Sequence, residues 1–134
     1  MADFERLDML HRVCLVSVQV GAVADEICSS SLANSVEFSL SSCNEMPADF
    51  YVTASVLTGC DLLITNDTSV AHLAGALGIP AWLLLKAHPS WQWGDDGMST
   101  PWYESIQCFR QHRPFCWEGV LRDVDRELAA KFLL

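Results

Sequence analysis

Residues 61–78 read DLLITNDTSVAHLAGALG, and this stretch decides the fold. Its first five residues, DLLIT, form a short apolar run bounded by turn formers, which is the pattern of a central parallel strand. Asn66, Asp67, Thr68 and Ser69 then place four capping residues ahead of a helical run over 70–77 that ends at Gly78, a C-terminal cap residue. Residues 79–85, IPAWLLL, read as the next strand. Upstream, Pro47 and Asp49 mark the start of a mostly buried helix carrying Phe50, Val52, Ala54, Val56 and Leu57 and closed by Gly59. Helix, strand, helix, strand with short connections predicts right-handed crossovers in a parallel sheet.

Outward from this block the pattern continues. VCLVSVQV at 13–20 is rich in β-branched residues, as a strand buried on both faces would be. Phe4, Leu7, Met9 and Leu10 predict a short amphipathic helix before it, over about 3–11. SVEFSL at 35–40 alternates like a strand, and 22–27 has room for one or two helical turns. After Lys86 comes a long loop holding Trp91, Trp93 and Trp102, then a last strand over 105–109. A closing helix over 117–133 sets Val120, Leu121, Val124, Leu128 and Phe132 on one side. The whole chain, 1–134, predicts one α/β three-layer domain with a mainly parallel sheet of about five strands.

Hydrophobic residues make up 51% of the chain and mean hydropathy is +0.21, which excludes disorder and leaves apolar surface for a partner to cover. Eight basic residues against seventeen acidic ones give a net charge of −9, which excludes the electrostatic footprint of nucleic-acid binding. Six cysteines at 14, 28, 43, 60, 108 and 116 have neither zinc-site nor dense disulfide spacing, so reduced thiols, a cytoplasmic location and no metal are expected. No apolar stretch reaches the ~18–20 residues of a spanning helix. GxGxxG, Walker and GxSxG sequences do not occur, which argues against dinucleotide oxidoreductases, NTPases and serine hydrolases.

Chemistry concentrates at 66–72. A strand that ends in Asn-Asp-Thr-Ser and enters a helix leaves backbone N–H groups without helical partners beside a positive dipole end, a natural anion site. Thr68 and Ser69 add hydroxyl donors, and Ala71, Ala74 and Ala76 let the helix lie close to the sheet. The plainer reading of the same residues makes Asp67 or Thr68 an N-cap and His72 a packed helix histidine. Trp91, Trp93 and Trp102 can stack a base or sugar, but tryptophans in a long loop more often fasten it to the domain. Arg110, Gln111, His112 and Arg113 read as a solvated cationic cluster.

Several of these segments occur together in a recognisable order. DLLITNDTSVAHLAGALGIPAWLLL, WQW at 91–93, STPWY at 99–103 and CFRQ at 108–111 resemble the C-terminal half of bacterial GT-B glycosyltransferases. The likeness is to the domain found after tetratricopeptide repeats and related to the family 9 heptosyltransferases. It implies a Rossmann-like domain that binds a nucleotide-diphosphate sugar as substrate, with no separate cofactor. Asp67, Thr68, Ser69, Val70 and His72 would line the donor diphosphate, while Gln19, Trp91 and Trp93 are candidate donor contacts. Asp67, an acid beside an anion site, is expected to orient the turn instead of touching phosphate.

Three departures from the family pattern stand out. Gln92 takes the place of the arginine in W-R-W, Thr100 is inserted in S-P-W-Y, and the usual first strand at the centre of the sheet is missing. Catalytic residues stay unassigned, because relatives draw the catalytic base from an acceptor domain. The expectation is therefore a donor-binding half that transfers sugar only with an acceptor-domain partner chain, itself associating as a homodimer. The alternative is a non-catalytic interaction module that kept the Rossmann-like fold.

Overall fold

The computed structural model describes residues 13–21, 24, 33, 35–40 and 49–132. The helix expected over 3–11, most of the segment 22–34, and the start of the helix at Met46 and Pro47 lie outside these residues. The chain divides into two compact units, Met1–Val56 and Leu57–Leu134.

In the first unit, β1 (Leu15–Ser17) pairs in parallel with β2 (Val36–Ser39). The register slips between Leu15 and Val16, because Leu15 faces Val36 whereas Val16 faces Phe38. β1 is shorter than the eight-residue strand expected, half-buried throughout, and Val20 is exposed, so it is not buried on both faces. Helix α1 (Phe50–Leu57) starts at an Asp49 cap: Val52 N–H donates to Asp49 Oδ1 at 2.9 Å, and Thr53 N–H to Asp49 O at 3.1 Å. Thr53 and Leu57, four residues apart on one helix face, are its buried positions. Phe50 and Tyr51 face solvent, which corrects the expected burial of Phe50.

The second unit carries the decisive stretch. β3 (Leu63–Asn66), β4 (Ala81–Leu85) and β5 (Ile106–Arg110) form one parallel sheet in the order β3-β4-β5, with Leu63 opposite Ala81 and Ala81 opposite Ile106. β4 is central, and all five of its residues are buried, as its unbroken apolar run requires. Trp82 meets Phe109 of the neighbouring strand with ring centroids 5.3 Å apart.

Helix α2 (Ser69–Ala76) connects β3 to β4 and buries Ala71 and Ala74. It ends in a Schellman turn: Gly78 N–H donates to Gly75 O at 3.1 Å and Ile79 N–H to Ala74 O at 3.0 Å, with Gly78 at φ 69°. Helix α3 (Glu118–Phe132) closes the unit with Val120, Leu121, Val124 and Leu128 buried at i, i+1, i+4, i+8 spacing. Each such aliphatic side chain contributes roughly 1.5–3 kcal/mol. Phe132, expected on that face, is exposed near the helix end.

The five expected strands are therefore present, every observed pair is parallel, and they form sheets of two and three strands. An α/β fold with parallel pairing is what the helix–strand alternation predicted, and three α-helices lie among the described residues.

Candidate functional site

The site is built where β3 hands over to α2. The chain leaves the sheet at Asn66 and turns through Asp67 and Thr68 before Ser69 begins the helix. Asp67, Thr68 and Ser69 are exposed, and Val70 is half-buried. Neither expected cap serves as one. Thr68 has extended backbone (φ −138°, ψ 167°) and makes no side-chain cap bond, while its hydroxyl lies 3.3 Å from that of Thr65. Asp67 turns its carboxylate away, and Oδ1 accepts a 2.7 Å hydrogen bond from the indole N–H of Trp93. The helix thus starts with its first N–H groups uncovered by these two side chains.

His72, one turn into α2, is half-buried and engaged on both ring nitrogens. Nδ1 lies 3.1 Å from the Tyr103 hydroxyl and Nε2 lies 3.2 Å from the Gln92 amide nitrogen. Both ring nitrogens therefore have a hydrogen-bond partner within the domain, with donor and acceptor roles that follow the ring's tautomer. The imidazole also stacks on Trp93, with centroids 4.6 Å apart and planes at 23°. Gln92 thus holds a histidine.

Trp91–Trp93 forms a 3₁₀ turn. Trp93 is fully buried and fastens the loop, whereas Trp91 is 81% exposed. Trp102 donates its indole N–H to Gln92 O and leaves most of its ring in solvent. Gln19 is half-buried in the first unit, beyond β1. The second unit brings Asp67, Thr68, Ser69, His72 and Trp93 together, and Trp91 adjoins them on the same turn.

Several contributors were missed in the sequence. Arg110 is not part of a solvated cluster: Nε donates to Gly97 O at 2.9 Å, and the two terminal nitrogens donate to Gly94 O at 3.1 Å and Trp93 O at 2.6 Å. Gln111 is buried, and its Oε1 accepts from Ala87 N–H at 3.3 Å. A cleft of about 370 Å³ opens at the carboxyl ends of β3 and β4, lined by Asn66, Asp67, Lys86, His88, Ser90 and Trp117 among others. Lys86 brings a cation to it. Only its place, directly after a buried strand, could have signalled this. Cys108 on β5 is buried, and that burial pushes its thiol pKa up, against a smaller opposing pull from Arg110, so it is an inert core residue. Among the described residues no group of histidine, cysteine and carboxylate side chains could hold a metal ion, and no helix is long and apolar enough to cross a membrane.

Parallel strands joined by a helix, with a turn, an open helix start and a cleft at their carboxyl ends, define an α/β domain consistent with a Rossmann-like fragment. The family model of glycosyltransferase family 9 (heptosyltransferase) matches residues 10–118, and the chain belongs to that family. Protein FlbA of Caulobacter vibrioides is 29% identical over 109 residues, which make up 81% of this chain and 18% of that protein. The chain thus spans less than a fifth of that relative's length. No solved structure matches the chain.

Proposed function

We propose that this chain is the donor-binding half of a GT-B glycosyltransferase and that it takes the diphosphate of a nucleotide sugar at the turn Asp67-Thr68-Ser69-Val70. The observation that carries the reading is the uncapped start of α2 at the carboxyl end of β3, beside a cleft that Lys86 also lines. In glycosyl transfer the leaving-group charge collects on the diphosphate, and fixed N–H donors, a helix dipole and a lysine stabilise such charge without a metal ion. Asp67 is held by Trp93 and orients the turn. The acceptor and the catalytic base come from a partner domain, and the reaction belongs to the cytoplasm, where nucleotide sugars are available.

One observation favours a second reading, a non-catalytic interaction module. His72 spends both ring nitrogens inside the domain, and Gln92 supplies no charge. Calorimetric titration with UDP, GDP and ADP at millimolar concentration separates the two. The donor-binding reading predicts saturable binding of at least one of them, and the module reading predicts none.

A further inference from the structure

We propose that Trp93 and Arg110 are positioning residues that keep the start of α2 open by holding Asp67 off it; this rests on the donor-binding reading above. Asp67 precedes the helix by two residues. From that position a carboxylate ordinarily folds back to accept the N–H groups two and three residues on, here Ser69 and Val70. Such a carboxylate would satisfy the donors that an anionic ligand needs and would set a negative charge where the ligand's charge must go. In the structure Oδ1 instead accepts from Trp93 at 2.7 Å.

The indole is fixed from three sides. Its ring is fully buried, it stacks on His72 at 4.6 Å, and its own carbonyl accepts the 2.6 Å bond from Arg110. Arg110 further holds Gly94 and Gly97, so a single guanidinium at the end of β5 sets the position of the loop that carries Trp93. A buried indole N–H has to find an acceptor, and in this geometry Asp67 supplies it. Sheet edge, loop and helix start are thereby coupled through Arg110, Trp93 and Asp67.

The test is Trp93→Phe, which keeps a ring in place and removes the N–H, followed by amide hydrogen exchange at Ser69 and Val70 in the ligand-free protein. A released Asp67 should slow exchange at these two amides by about tenfold relative to wild type, as a new hydrogen bond does. In the same variant the affinity for whichever nucleoside diphosphate the wild type binds should fall by about tenfold or more, and Asp67→Ala added to it, which removes both the acceptor and the charge, should restore much of the loss. A merely structural role for Trp93 predicts lower stability, with faster or unchanged exchange at Ser69 and Val70 and no rescue. Should the phenylalanine variant not fold, Arg110→Lys carries the same exchange test, with slowing in the same direction expected. A folded variant with unchanged exchange overturns the proposal. The exchange measurement needs no nucleotide, so it stands or falls separately from donor binding.

Discussion

At the scale of single residues the turn at 66–70 is defined by what its side chains do not do. A threonine at N-cap ordinarily contributes about 1 kcal/mol by accepting a helix N–H, and its loss is felt as instability. Thr68 occupies that position without making the bond, and its exposed hydroxyl meets that of Thr65. Thr68→Ala is therefore expected to change stability by less than about 0.5 kcal/mol, the usual range for a surface substitution. If the hydroxyl donates to a phosphate oxygen, nucleotide affinity should fall by roughly 1–2 kcal/mol, about 5–30-fold. Urea unfolding and calorimetry on the same variant measure both quantities, and an unchanged affinity would take Thr68 out of the site.

Elements bring these residues together, and α2 shows how closely. A Cβ placed on Gly75 would lie against the Tyr103 ring, touching Cγ and coming within 2.6 Å of Cδ1 and 2.7 Å of Cδ2. Glycine here is thus a packing requirement, since it admits the ring whose hydroxyl meets His72. Alanine would add about 1 kcal/mol of helix propensity but cost roughly 1–3 kcal/mol through crowding. Gly75→Ala is expected to lower stability by about 1 kcal/mol net, read as a reduced midpoint in urea. A gain in stability would show that the ring yields freely. Much of this level is legible in the sequence, because helix and strand periods differ and the punctuation is strong: Asp49 caps α1 and Gly78 closes α2 in the left-handed region. Local pattern failed where partners are distant. The bond between Asp67 and Trp93 spans 26 residues, and the acceptors of Arg110 are backbone carbonyls that no residue type announces. Phe132 and Phe50 fit an apolar pattern yet lie exposed, because periodicity gives a face without saying where a neighbour ends.

For the whole molecule the consequences are association and binding. Trp91, Trp102 and Phe115 are 81%, 57% and 98% exposed, and an apolar excess of this kind favours self-association. We expect a homodimer, with sedimentation at micromolar concentration giving about twice 14.9 kDa; a clean monomer would count against it. If the start of α2 receives the diphosphate of a nucleotide-sugar donor, calorimetric titration of the intact chain with UDP, GDP and ADP should detect it. Saturable binding of at least one nucleotide is expected, with a Kd of about 1 mM or tighter, near −4 kcal/mol, and weaker binding by Thr68→Ala. No saturable binding to any of the three would contradict the donor-binding reading.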